Sequence, residues 1–332
     1  MLQGRHPRLR HPWRAEPSVT YASSVASTST MPAPTDLRGR SLLAVFAHPD
    51  DESIACGGLL AWCAHLGVDV SLLCMTRGEH GQGAGEVRRT RTRELGAAAR
   101  ALGIGAVTLL DREDGMLPWL AADTLRSEIE AEIHVRQPDV VLTFDSDGLY
   151  WHPDHVTVHE LTTAAVMGLG DAAPALYYVT IPPGSMRAVA DHAAHAFRSR
   201  IETETARPGH AADPDNARGA VGVEPPSSIL GVPDPDAFGS AAPTPTLAID
   251  TGSFATRKLA ALACHASQFR GSALAYVTER DAPRLLGVEH YRRAATGAAG
   301  PTFLEDLGTP IASAARPHPG GRMQRAAPAS RT

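Results

Sequence analysis

Short apolar runs alternate along the middle of the chain with longer stretches in which apolar residues recur at helical spacing. Residues 42–47, 68–75, 106–110, 140–144 and 176–181 are predicted strands. Most of them are apolar on both faces, as in a parallel sheet covered by helices. Helices are predicted between them over about 54–66, 86–102, 122–136 and 155–168. Gly67 and Gly103 stand where C-terminal caps belong, and Pro138 stops the third helix. A last strand is predicted over 247–250 and a last helix over 254–269. This alternation predicts an α/β fold, a Rossmann-like three-layer sandwich with a mostly parallel sheet.

Three stretches break the pattern. Residues 1–38 mix Pro, Ser, Thr, Ala and Arg without periodicity and are expected to be a disordered basic tail, with 311–332 a second one. Met31 lies inside the first stretch, and a start at Met31 is one reading of it, which N-terminal sequencing of the native protein would reject by finding residues before Met31. From about 203 to 245, DPDNARG, EPPSS, PDPDAFGS and AAPTPT crowd Pro, Gly and Asp together. That segment is expected to be an insertion or lid within a domain spanning 39–310.

Composition narrows the class. The 332 residues are 43% hydrophobic and 20% charged, which describes a soluble globular protein. No apolar run approaches the ~18 residues of a membrane span. The net charge of −5 conceals +4 on residues 1–40 and +4 on 311–332, leaving −13 on the body. An acidic body argues against nucleic acid as the main partner, because phosphate binding needs a positive footprint. Cys56, Cys63, Cys74 and Cys264 form no CxxC pair. On one helix Cys56 and Cys63 would lie about 10 Å apart, too far to bridge. Free thiols and the lack of an apolar signal-peptide core near the start favour the cytoplasm.

In open parallel sheets ligands bind beyond the carboxyl ends of the strands. The first predicted strand runs into Ala47-His48-Pro49-Asp50-Asp51-Glu52, and the fourth into Asp145-Ser146-Asp147-Gly148-Leu149-Tyr150-Trp151-His152-Pro153-Asp154-His155. The bland reading of the first cluster is a polar turn in which Asp50 or Asp51 caps the helix. Two ionisable clusters after two strand ends are harder to explain that way. Two histidines and one carboxylate make a three-ligand zinc set that leaves a position open, the pattern of catalytic zinc. Gly81-Gln-Gly83-Ala-Gly85 lacks the spacing of a dinucleotide fingerprint and reads as an active-site loop.

The paired motifs AHPDDE and HPDH resemble those of the PIG-L/LmbE-like zinc-dependent N-acetylglucosaminyl deacetylase family. The resemblance spans about 40–200 and resumes over 247–293, where Lys258, His265, Ser267 and Gln268 are similar to a late "K..AL..H.SQ" helix. It implies His48, Asp51 and His155 as ligands of Zn²⁺, a set that also accepts Fe²⁺, and Asp50 as the general base. His152 would serve as an imidazolium that stabilises the oxyanion and protonates the amine, Asp154 would orient it, and Tyr150 would polarise the carbonyl. The same resemblance implies Glu79, Arg91 and Asp114 as sugar-binding residues, with Glu113 an alternative to Asp114. Trp151 stands where a small residue is common in the family, which narrows the pocket mouth.

The implied activity is hydrolysis of the N-acetyl amide of a small N-acetylated amino-sugar conjugate, such as GlcNAc-inositol or a glycosylated natural product. Two readings compete with it: an amidase on thiol-conjugated amides, and a sugar-binding protein with a degenerate site. A two-metal phosphoesterase would need more carboxylates.

Overall fold

The computed structural model describes residues 34–83, 85–205 and 224–311. A single sheet of eight strands organises them: β1 (Ser41–Phe46), β2 (Asp69–Thr76), β3 (Ala106–Arg112), β4 (Val140–Phe144), β5 (Ala175–Thr180), β6 (Leu247–Asp250), β7 (Val288–Gly297) and β8 (Thr309–Pro310). Their spatial order is β3-β2-β1-β4-β5-β7-β6-β8. The first five pair in parallel, with Leu42 opposite both Val70 and Val140, whereas β7 runs antiparallel to β5 and β6, and β8 antiparallel to β6. The chain adds β2 and β3 on one side of β1, then crosses to add β4 and β5 on the other. The order therefore reverses between β1 and β4, where a parallel sheet opens a crevice.

The helices are α1 (Asp51–His65), α2 (Val87–Leu102), α3 (Ala122–Arg136), α4 (Gly148–Trp151), α5 (Pro153–Gly168), α6 (Ser185–Thr205), α7 (Ala255–Cys264), α8 (Ala266–Phe269), α9 (Ala282–Leu286) and α10 (Phe303–Leu307). One group, α1, α2 and α7, packs together, and α3 packs on α5. The apolar runs of β1, β2, β4 and β5 are buried almost throughout. Strand β3 differs from the expectation of two apolar faces. It is the sheet edge, only half-buried, and its Thr108 and Arg112 bond to Glu132 and Glu128 of α3.

The predicted strands fall within a residue or two of those observed, and 122–136 coincides with α3. Helix α1 begins three residues earlier than predicted, at Asp51. The last predicted helix is two, broken at His265, and α6 and β7 were not anticipated. Part of the expected N-terminal tail is ordered: Leu37 is buried, and its N–H donates to the Leu66 carbonyl at 2.8 Å. The rest of that tail and Met31, residues 206–223 of the expected lid, and 312–332 lie outside the described residues.

Helix α1 contains a break that the sequence marks with a glycine pair. Cys56 has non-helical dihedrals (φ −145°, ψ 22°), so a second helical segment starts beyond it. Its opening N–H groups, Gly58 and Leu59, donate to the Glu289 carboxylate of β7 at 2.9 and 2.8 Å. Lys258 and Tyr291 complete that carboxylate's shell at 2.7 and 2.8 Å. A Cβ at position 58 would stand 2.4 Å from the Thr251 hydroxyl, so only glycine fits.

Candidate active site at the strand switch point

The β1 and β4 ends meet in a cleft of about 450 Å³, lined on one side by His48, Asp50, Arg91, Tyr150 and His152. Beyond β1 the chain turns sharply at Asp50, whose backbone is left-handed (φ 113°, ψ −23°). The Asp50 side chain makes no capping hydrogen bond to α1, so the helix-cap reading of this cluster fails for Asp50. Its carboxylate is instead bonded by Arg91 Nη2 at 2.9 Å.

Three potential ligand residues converge next to it. His48 Nδ1 lies 3.0 Å from His155 Nε2 and 3.5 Å from Asp51 Oδ2, and His155 Nε2 lies 3.3 Å from Asp51 Oδ1. Each separation is close to the ligand–ligand edge of a tetrahedron with arms of ~2.0–2.1 Å, the Zn–N and Zn–O range, with the carboxylate turning a different oxygen to each ring. The outward ring nitrogens are engaged: His155 Nδ1 is 3.1 Å from the Gly148 carbonyl, and His48 Nε2 is 3.0 Å from Asp114 and 3.1 Å from Asp154. Such outer partners fix the tautomer that leaves the inner nitrogen free for a cation. His48–His152–His155 and His48–Asp114–Asp154 each bring ligand atoms within 4.8 Å of one another, and Asp51 adjoins the first set through its contacts with His48 and His155. The donor set fits a divalent ion.

Burial and charge tune the cluster. Burial pulls His155 down to about 3, so its imidazole is neutral, as a ligand must be. Burial opposes ionisation of Asp51, but His155 and His48 outweigh it and hold the carboxyl at about 2. Burial pushes Asp50 up to about 6, against the opposing pull of Arg91.

Several expected partnerships differ. Asp154 was expected to orient His152, but its side chain sits at the first turn of α5, facing the loop after β3. It accepts the N–H groups of Gly115 and Leu117 at 2.7 and 3.1 Å and contacts His48. Only the backbone N–H of Asp154 reaches His152, donating to Nδ1 at 3.2 Å. Burial, reinforced by His48, also lowers the His152 pKa, which disfavours the expected imidazolium. Tyr150 lines the cleft, with its ring 5.2 Å from that of His155 and 4.9 Å from Phe238.

The three expected sugar-binding residues are largely occupied within the protein. Arg91 is buried and donates to the carbonyls of Gly78 (2.9 Å) and Pro49 as well as to Asp50. Asp114 bonds His48 and the His80 N–H. Glu79 is outside the residues lining the cleft and pairs with Arg88 at 3.2 Å. The rest of the lining includes His80, Gln82 of the loop that reads as an active-site loop, and the Leu230–Gly231–Val232–Pro233 stretch of the expected lid. Gln268, noted only as part of the late helix motif, stands there too and is tied to Gln82, accepting its N–H at 3.1 Å.

Residues 43–166 match the GlcNAc-PI de-N-acetylase (PIG-L) family. A 1D-myo-inositol 2-acetamido-2-deoxy-alpha-D-glucopyranoside deacetylase of Acidothermus cellulolyticus is 31% identical over 283 residues, covering 76% of this chain and 88% of that protein. The chain belongs to the PIG-L family. A protein of the same description from Rhodococcus jostii is 38% identical over 161 residues, 40% of this PIG-L chain and 55% of its own length. Among solved structures, the 4-carboxy-2-hydroxymuconate hydratase of Pseudomonas putida KT2440 shares the fold, with a TM-score of 0.51 at 19% identity over 79% of this chain and 99% of that one. A PIG-L fold alone therefore leaves the reaction open, and the side chains in the cleft have to decide it.

Proposed function

We propose that this PIG-L family deacetylase is zinc-dependent and hydrolyses the N-acetyl amide of a GlcNAc-type conjugate, GlcNAc-inositol foremost, to a free amine and acetate. The observation that carries the reading is the convergence of His48, Asp51 and His155 within 3.0–3.5 Å, with the Asp50 carboxylate in the same cleft. The names of the two deacetylase relatives support the substrate. The helix groups α1/α2/α7 and α3/α5 support reading the fold as a Rossmann-like three-layer sandwich. The four free cysteines support a reducing, cytoplasmic setting.

In this reading His48, Asp51 and His155 hold the ion. When bound, it supplies Lewis acidity that acidifies water towards pKa ~7 and polarises a carbonyl. Asp50 is the general base. A carboxyl raised to about 6 is still mostly ionised at neutral pH and well matched to take a proton from attacking water. His152 accepts the Asp154 N–H at Nδ1, so its neutral form carries hydrogen on Nε2 and donates it to the developing oxyanion. Tyr150 is a second donor to that oxygen. The proton taken by Asp50 passes to the departing amine. Asp114 and Arg91 hold His48 and Asp50 in place, and the sugar lies against His80, Gln82 and the 230–233 wall.

Purified protein given GlcNAc-inositol should release acetate and primary amine, stop on chelation, and recover with Zn²⁺ or Fe²⁺. Asp50→Ala should lower kcat by on the order of 10²–10⁴ while metal content persists. Wild-type turnover in that variant would remove Asp50 from the role of base.

A further inference from the structure

Asp50 occupies backbone space that a non-glycine residue enters only when its surroundings force it there. Arg91 holds its side chain, and the Ser53 and Ile54 N–H groups hold its carbonyl at 3.0 Å each, which leaves its own N–H to be held. Glu52 holds it: its Oε2 accepts the Asp50 N–H at 3.1 Å. The other carboxylate oxygen of Glu52 contacts His265 Nε2 at 2.8 Å and accepts the Ser53 hydroxyl at 2.5 Å. Glu52 and His265 are 1% and 0% exposed, and neither lines the cleft. His265 arrives from the far end of the sequence, at the break between α7 and α8, where its carbonyl takes the Gln268 and Phe269 N–H groups at 2.9 Å each. A histidine 215 positions along the chain from Asp50 thus fixes the carboxylate that fixes the Asp50 backbone.

We infer that His265, acting through Glu52, is a positioning residue for Asp50. It keeps the turn left-handed and the Asp50 carboxylate aimed into the cleft, and touches neither substrate nor metal. The inference rests on Asp50 being the general base.

The test is steady-state kinetics of the metal-loaded full chain carrying His265→Ala or His265→Gln, alone and combined with Asp50→Ala, alongside metal content and thermal midpoint. His265→Ala should lower kcat on the order of 10- to 100-fold, as a base moved by about an ångström does, with KM and metal content unchanged. His265→Gln, whose amide nitrogen stands in for Nε2, should recover most of that loss. In the Asp50→Ala background His265→Ala should cost nothing more, because the group it positions is already gone. A crystal structure of His265→Ala should show Asp50 φ back at a negative value.

The inference is overturned if folded, metal-loaded His265→Ala keeps kcat within about twofold, if Ala and Gln are equally slow, or if His265→Ala slows the Asp50→Ala background by its full factor. Should His265→Ala fail to fold, His265→Asn, whose shorter amide misses Glu52, replaces it in every comparison with His265→Gln. Asp50→Ala with wild-type turnover sinks the base reading. An inactive Asp50→Ala beside a fully active His265→Ala sinks this inference alone.

Discussion

Arg91 sits in a slot made by glycines. A Cβ at Gly78 would come within 2.2 Å of Arg91 Nη1, and Gly78 has a φ of +63°. Gly78→Ala should therefore push the guanidinium off Asp50 and strain the turn by about 1–2 kcal/mol. The measurable result is a lower kcat and a lower urea midpoint. Arg91→Lys separates the two effects. An ammonium cannot bridge the Pro49 and Gly78 carbonyls and the Asp50 carboxylate in one plane. It should lower kcat on the order of tenfold with little change in KM, whereas an arginine that binds sugar directly would raise KM when replaced. At this scale the two ionisable clusters were legible because both follow strand ends, whereas Glu79, expected beside them, lies outside the cleft lining. The sequence did not reveal who pairs with whom. Asp154 lies two positions from His152, yet its carboxylate serves the loop after β3 and His48, because the first turn of α5 points it there.

Among the elements, β7 was the least legible. Its ten residues include Glu289, His290, Arg292 and Arg293, and charge at that density reads as loop. The structure neutralises each charged residue: Glu289 with Lys258, Arg292 with Asp145 at 2.8 Å, and Arg293 with Glu305. No periodicity rule sees partners that distant. Strands β1, β2, β4 and β5 were legible for the opposite reason, because burial on both faces leaves nothing polar to disguise the run. Helix α6 carries Met186, Val189, Ala190 and Ala193 as a thin inward stripe, with alanine too small to mark it strongly. Glu289 also yields a stability prediction. Glu289→Ala would strand Lys258 in the interior and uncap the second segment of α1. Breaking a buried pair on one side costs about 3–5 kcal/mol, read as a shift of the urea unfolding curve. Glu289→Gln, which keeps an acceptor for one N–H, should lose less.

For the whole molecule, the strand order alone points to the cleft, since the sheet reverses between β1 and β4 and both motifs lie there. The walls were less legible, because the 230–233 stretch belongs to a Pro/Gly-rich segment with almost no periodicity. The fold also governs its thiols. Cys56, Cys63 and Cys74 are buried with their pKa values pushed up by burial, and Cys264 is half-buried. Native protein should react quickly with dithiobisnitrobenzoate at no more than the Cys264 thiol, and unfolded protein at all four. Two or more fast thiols in the native state would contradict the burial of Cys56, Cys63 and Cys74.

The family match ends at residue 166, but the grip on α1 does not. Glu289 caps that helix from β7, and His265 reaches the carboxylate beneath its first turn. The two halves of this sequence are thus tied together at α1. A chimera that kept residues 43–166 and borrowed another family member's second half, to change what the enzyme accepts, would work only where the donor brings a carboxylate and an imidazole to these same two places.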